Sequence, residues 1–302
     1  MDKFASMHAF TQVVEAGGFA AAARQMDLSR SAVNKLVHNL ENDLGVQLLH
    51  RSTRRVSLTE TGRAFYERCL AILADVAEAE QAVTQFQVEP RGPLKINAPM
   101  TFGVQYVGGA IATFAARYPD LQIQLTLEDR FIDPIAEGYD AVVRIAAEVT
   151  AASVIAQPLA PAPRVVCAAP SYLAQHGCPT VPEELKQHAC LHYGYLSTGN
   201  SWQLQQSSGD LLTVAVHSPF CSNNGDILKT AALQGLGITL LPEFMISDEM
   251  KSGQLQPILK DFPPTALTIF MVYPVNRHLS TKVRLLLDCF SQQFTGLGLR
   301  PG

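Results

Sequence analysis

The sequence predicts an α/β protein that carries an all-α, winged head at its N-terminal end. Three observations lead there. Residues 20–68 hold eight Lys/Arg against five Asp/Glu, a surplus of +3, while the whole chain has a net charge of −4. A small basic head therefore sits on an acidic body. Apolar residues then recur at alternating spacings of 4 and 3 from Phe65 to Phe86, the seam of one long helix. From residue 94 onward, strand-like and helical runs alternate, the pattern of an α/β domain. The 302 residues, 47% hydrophobic and 17% charged, suit about two domains and exclude a disordered, collagen-like or disulfide-stapled chain.

The first helix is expected over residues 2–16, with Phe4, Met7, Phe10, Val13 and Val14 on its apolar face. Gly17-Gly18 stops it, and FAAAARQM forms a short second helix whose small side chains allow close approach. After the turn DLS, the third helix runs SRSAVNKLVHNLENDLG. Val33, Leu36, Val37, Leu40 and Leu44 make its apolar stripe, and Arg30, Ser31, Asn34, Lys35 and His38 fall on the other side. Ser31, Asn34, Lys35 and His38 follow i, i+3, i+4, i+7. They give a face of donors with one positive charge and no carboxylate. A solvated helix face usually mixes both signs, and that plainer reading stays open here.

Two short strand-like runs follow, joined by a tip with Arg51, Arg54 and Arg55. Helix, helix, turn, helix and wing make a winged helix-turn-helix. In that arrangement the last helix enters the major groove of double-stranded DNA and wing arginines reach phosphates. Asn pairs bidentately with adenine, and Lys or Arg with guanine.

Residues 60–88 then read as a linker helix about 43 Å long. Its seam (Phe65, Cys69, Ile72, Val76, Ala79, Val83 and Phe86) is too long for one small head to cover. Pairing with a second copy through Phe65, Ile72, Val76, Val83 and Phe86 is the economical reading; packing on the chain's own C-terminal domain is the alternative. EPRGP breaks the helix and makes a hinge over 89–93.

The run FAAAARQMDLSRSAVNKLVHNLENDLGVQLLHRSTRRVSLTETG resembles the DNA-binding domain of LysR-type transcriptional regulators. The shared marks are Ala-Ala-Arg in the second helix, Ser-x-Ser-Ala-Val opening the third, Leu-Glu-x-x-Leu-Gly closing it, and Leu-x-x-Arg followed by Leu-Thr-x-x-Gly across the wing. Arg30, Asn34 and Lys35 depart from the Pro, Ser and Arg common in the family. LKINAPMTFG, YDAVVRIA and NNGDILKTAALQGLGITLLP resemble the effector domain of the same family, in its aromatic-acid and quinone-associated branch. The resemblance implies a two-lobed, periplasmic-binding-protein-like effector domain and a tetramer.

The expected organisation is a DNA-binding domain over 1–59, the linker helix over 60–88, the hinge, and an effector domain over 94–302. Within it, lobe I takes about 94–162 and 266–302, and lobe II about 163–265. Strands are expected at 94–99, 121–127, 140–146, 164–170, 237–242 and 267–274, in a largely parallel sheet. Helices are expected at 102–117, 171–175, 182–190, 226–234 and 281–294.

Ligands bind such sheets at strand carboxyl ends and helix N-termini. Thr101 follows the first strand and precedes the Phe102 helix, where it can cap the helix and help hold an anion. A plain cap is the alternative, and the family resemblance favours effector contact. Asn223 and Asn224 offer the same geometry from the other lobe. Arg144 is a third contact or, alternatively, part of a salt bridge; Phe102 or Phe131 can supply an aromatic wall. The expected effector is a small carboxylate, aromatic or otherwise apolar. After Arg144 the chain departs from its branch. Ala146 replaces a Gly, Ala151-Ala152-Ser153-Val154 an acidic stretch, and Gln157 an Arg.

No G-x-S-x-G, P-loop or H-E-x-x-H is present, and GLG at 235–237 closes a helix instead of opening one. No enzyme activity, cofactor or metal is expected, although a cysteine-dependent enzyme and a transport-type binding protein are the competing classes. His188 and His192 have i, i+4 spacing without an intervening Glu. The six cysteines form no C-x-x-C pair and read as buried free thiols, with redox sensing by two of them as the alternative. No run approaches the ~18 apolar residues of a membrane span, and MDKFASMHAF lacks the basic and apolar regions of a signal peptide. The cytoplasm is the expected location, with no membrane partner.

Overall fold

The computed structural model describes residues 2–51, 56–84, 90–194, 200–206, 208–277 and 280–295. The chain divides into two compact units, Met1–Val88 and Glu89–Gly302.

The first unit opens with α1 (Lys3–Glu15), α2 (Phe19–Gln25) and α3 (Arg30–Leu44). Asp2 caps α1 by accepting from the amides of Phe4 and Ala5 at 3.0 and 3.1 Å. Met7, Phe10 and Val13 are buried as their spacing predicts, but Phe4, in the first turn of α1, is exposed. Ser29 caps α3 through the Ala32 amide, and Gly45 ends it in the left-handed conformation at φ 68°. Val33, Val37 and Leu40 are fully buried, each contributing about 1.5–3 kcal/mol. Ala22 and Ala23 of α2 are buried in the same core. The strands β1 (Leu49–Arg51) and β2 (Val56–Leu58) pair antiparallel, Leu49 opposite Leu58. A helix, α4 (Glu60–Thr84), follows. Gly62 is required near its start: a Cβ there would stand 1.9 Å from the Leu48 carbonyl oxygen.

The second unit continues in chain order with β3 (Gly92–Ala98), α5 (Met100–Phe102), a π-helical turn over Gly103–Val107 and α6 (Gly108–Arg117). Then come β4 (Leu121–Leu127), β5 (Ala141–Ala146), β6 (Val154–Ala162), β7 (Arg164–Ala168), α7 (Pro170–His176) and β8 (Ala189–Tyr193). β9 (Ser201–Gln205), β10 (Leu211–Ala215), β11 (His217–Ser222), α8 (Gly225–Leu233), β12 (Ile238–Pro242) and α9 (Ser247–Lys251) follow. β13 (Gln256–Pro257), β14 (Leu267–Pro274) and α10 (Thr281–Thr295) complete it.

These elements build two five-stranded sheets, one per lobe, in the orders β4-β3-β5-β14-β6 and β11-β8-β12-β7-β13. Both sheets are mixed, which corrects the expected largely parallel strand arrangement. β3 runs parallel to β4 and β5, but β14 returns antiparallel to β5 and β6. In the second lobe β7 lies antiparallel to β12 and β13. β6 is an edge strand carrying Pro158 and Pro161, which an edge tolerates and a sequence pattern rejects. The stretch expected as a helix over 182–190 is a 3₁₀ turn over Pro182–Gln187 followed by β8. β9 and β10 form a separate hairpin whose Trp202 and Leu204 are buried in the second lobe's core.

Candidate functional site

On the head, Arg30, Ser31, Asn34, Lys35 and His38 are all exposed on α3. The helix interior explains the missing acid. Glu41 turns inward and is buried, its Oε1 accepting from the Leu48 and Leu49 amides at 2.9 and 3.2 Å. Glu41 thus ties the exposed helix to the first strand of the wing. Of the wing arginines, Arg51 ends β1. Its side chain and all of Arg54 and Arg55 lie outside the described residues.

The long helix divides the proposed seam. Phe65 packs into the head, 6.0 Å from the Phe10 ring, and Cys69 is fully buried there, because the first turns of α4 close the head's own core. Ile72 is exposed and Val76 half-buried. The Val83 side chain and Phe86 lie outside the described residues.

In the second unit a cavity of about 820 Å³ is lined from both sheets. Thr101, Phe102, Phe131 and Arg144 line it; Asn223 and Asn224 do not. Thr101 is not a cap: Pro99 holds that position, and the Thr101 hydroxyl donates to Asp226 Oδ2 across the lobes at 2.7 Å. The Met100 amide is taken by Asp129 Oδ1 at 2.9 Å. Asn224 Oδ1 accepts from the amides of Asp226 and Ile227 in its own helix, and its Nδ2 donates to Asp129 Oδ2 at 3.1 Å. Asn223 also has a partner. At these helix ends the Met100 amide, the Thr101 hydroxyl and the Asn224 side chain are therefore already matched within the chain. Phe102 is fully buried among Tyr106, Phe244 and Phe294, so it supports the cavity wall from the core side.

Phe131 is 77% exposed, and the Arg144 guanidinium lies over its ring, 3.8 Å from the centroid. Arg144 Nη2 is buried with no hydrogen-bond partner among the described residues. Desolvation lowers the Arg144 pKa, and the charge of Asp133 opposes that shift. Arg164 donates through Nε and Nη2 to the Thr265 carbonyl at 3.0 and 2.8 Å. Arg130 is clamped by Glu128 and by Glu137, at 3.0 Å from Nη1 to the latter. Those pairings raise the Arg130 pKa and hold Glu137 below the usual carboxylate range.

Sequence reasoning missed Arg164, His192 and Trp202, which also line the cavity. His192 is buried, its Nδ1 has no partner among the described residues, and desolvation lowers its pKa. His188 points elsewhere, its Nδ1 3.2 Å from the Tyr172 hydroxyl. Of the departures after Arg144, Ala146, Ala151, Ser153 and Val154 line the cavity and Gln157 does not. Cys69, Cys167 and Cys190 are buried, with burial pushing their thiols up to about 11, 12 and 12. Cys178 is exposed, contrary to the expectation that all six are buried, because it follows α7 at the surface.

A recognition helix and wing on one unit, with a two-lobed ligand cavity in the other, define a DNA-binding transcription regulator with an effector domain. Residues 4–63 match the bacterial regulatory helix-turn-helix proteins of the lysR family, and residues 87–295 match the LysR substrate binding domain. The chain belongs to the family of LysR-type transcriptional regulators. It is 34% identical over 283 residues to an HTH-type transcriptional regulator of Haemophilus influenzae, covering 94% of this chain and 98% of that one. The solved structure of CrgA, a LysR-type transcriptional regulator from Neisseria meningitidis, superposes with a TM-score of 0.60 at 31% identity, covering 96% and 98% of the two chains. The full-length virulence activator AphB of Vibrio cholerae gives 0.59 at 28% identity, covering 96% and 99%. These relatives are regulators and not enzymes. Among the described residues no helix is long and apolar enough to cross a membrane.

Proposed function

We propose that this regulator reads an operator with α3 and changes its DNA contacts when a small carboxylate, aromatic or otherwise apolar, enters the cavity between its lobes. The observation that carries the DNA part is the exposed face of Arg30, Ser31, Asn34, Lys35 and His38, after which the first acid of α3, Glu41, is withdrawn into the core. Asn34 and Lys35 read base edges, while Arg51, Arg54 and Arg55 hold phosphates. The C-terminal part of α4, from Ile72 onward, pairs two chains, and contacts between effector domains complete a tetramer in the cytoplasm. Domain limits at 59, 88 and 93 follow from the same reading. The effector acts through its differential affinity for two lobe arrangements.

Selection of DNA fragments by the full chain tests the first part. The expected outcome is an enriched inverted repeat with half-sites separated by about whole turns of B-DNA; recovery of unrelated fragments refutes it. For the second part, a thermal-shift screen compares a broad set of small carboxylates with their neutral analogues. The reading fails if no carboxylate raises the melting temperature more than its neutral analogue does.

A further inference from the structure

We infer that Thr101, Asp129, Asn224 and Asp226 form a latch that holds the two lobes of the second unit in one arrangement, and that releasing the latch changes the regulator's DNA contacts without any effector. The second half of this inference rests on the reading that lobe arrangement controls those contacts.

The latch is reciprocal. Thr101 and Asp129 follow β3 and β4 of the first sheet, whereas Asn224 and Asp226 follow β11 of the second. The Thr101 hydroxyl donates to Asp226 Oδ2 at 2.7 Å, and Asn224 Nδ2 donates to Asp129 Oδ2 at 3.1 Å. Each lobe therefore offers one donor and one carboxylate, and each carboxylate meets the donor of the other lobe.

Every acceptor in the latch is also fixed within its own lobe. Asp129 Oδ1 accepts from the Met100 amide at 2.9 Å, and Asp226 Oδ1 lies 3.6 Å from Lys229 Nζ, one turn along α8. Lys229 is anchored in turn by the Met245 carbonyl at 3.1 Å and by Glu249 at 3.2 Å. Asn224 Oδ1 caps α8 through the Asp226 and Ile227 amides, which fixes the side chain while its Nδ2 reaches Asp129. Side chains already held in this way lose little further freedom when the cross-lobe bonds form.

The lobes touch through rings as well. The Phe244 centroid lies 5.4 Å from that of Phe102 and 5.9 Å from that of Tyr106. Apolar contact is non-directional and tolerates rocking of one lobe on the other. Hydrogen bonds require both a distance and an angle, so the latch is what selects a single arrangement. Thr101 and Asp129 also line the cavity, so a molecule entering it meets the latch from the lobe I side. A ligand that competes for either residue releases the latch and favours a second arrangement, which is the differential affinity a two-state regulator needs.

A polarity swap tests the latch. Asn224→Asp keeps the oxygen that caps α8 but sets a carboxylate against Asp129. Adding Asp129→Asn restores one donor and one acceptor with reversed polarity, and it keeps an oxygen for the Met100 amide. Trp202, the chain's single tryptophan, lines the cavity from β9 and is not a latch residue. Acrylamide quenching of its emission therefore reports access between the lobes. In the full chain with no ligand added, Asn224→Asp should raise the quenching constant about threefold or more. The double variant should return it to the value of the unchanged chain. Thr101→Val, which removes the other bond and adds no charge, should raise it about twofold. On DNA fragments selected by the unchanged chain, the footprint should change in Asn224→Asp and be restored in the double variant. Circular dichroism and melting curves check folding, and the near-isosteric Thr101→Val carries the test if Asn224→Asp does not fold. Unchanged quenching in both single variants overturns the latch, as does a rise that the double variant fails to reverse. A reversible rise in quenching with one footprint throughout supports the latch and overturns the control of DNA contacts by lobe arrangement. If the chain selects no DNA fragment, the quenching measurements still decide the latch.

Discussion

Replacing Glu41 tests whether the recognition helix and the wing are coupled by one buried side chain. Oε1 of Glu41 accepts from two amides, Leu48 and Leu49, whose residues are each 1% exposed. Glu41→Ala leaves both N–H groups without that acceptor in a buried setting, at about 1–3 kcal/mol each. Local relaxation and water entry recover part, so a loss of about 2–4 kcal/mol in local stability is expected. Glu41→Gln keeps an oxygen at the same reach and loses only the charge, about 1 kcal/mol. Hydrogen exchange of the full chain reads this at the peptide containing Leu48 and Leu49. Exchange should accelerate roughly 30- to 1,000-fold in the Ala variant and about fivefold in the Gln variant. DNA affinity should fall alongside, on operator and random DNA alike, because the wing loses its fixed place beside α3. If Ala and Gln variants exchange at the same rate, the carboxylate does not hold the strand and the coupling argument fails.

Three further outcomes are expected. Asn34→Ala or Lys35→Ala should weaken operator binding by ~1–3 kcal/mol and relax sequence preference in competition gel shifts; equal losses on random DNA would refute base reading. The double change Ile72→Glu, Val76→Glu puts charge at two α4 positions outside the head's hydrophobic core, and sedimentation should show smaller assemblies; an unaltered oligomer with unaltered DNA affinity means the pairing helix is misassigned. His188 and His192 both have pKa values depressed by burial, so the unfolded chain binds more protons than the folded one just below the ordinary histidine range. Their contribution to stability is present above about pH 6.5 and declines as pH falls through the window down to the folded values. Melting temperatures should drop from pH 7 to 5.5, and less steeply in His192→Gln; a rise over that interval would contradict the neutral assignment.

Local, periodic features were legible in the residues alone. The stripe Val33, Val37, Leu40 and the polar face opposite it follow from a helical repeat of 3.6 residues, and that repeat holds whatever packs nearby. Ser29 before α3 and Gly45 after it are chemical signals confined to one turn. Short strands dominated by apolar residues, such as β5 and β12, are legible from the same local patterning. Long-range placement was not. β6 hid behind its two prolines, permissible only because the strand lies at a sheet edge. The antiparallel return of β14, 121 residues after its partner β5 ends, is a matter of which edge remains open once the sheet has formed. Phe65 sits at a seam position by spacing but belongs to the head because Phe10 waits there. The cavity shows the same division. Sequence could nominate Thr101, Asn224 and Arg144 from their positions at strand and helix ends. Only the folded chain brings Asp129 and Asp226 from distant segments to the first two, and leaves Arg144 Nη2 and His192 Nδ1 buried without a hydrogen-bond partner among the described residues. A helix or strand is selected by neighbours in sequence, whereas the state of a polar group is selected by neighbours in space.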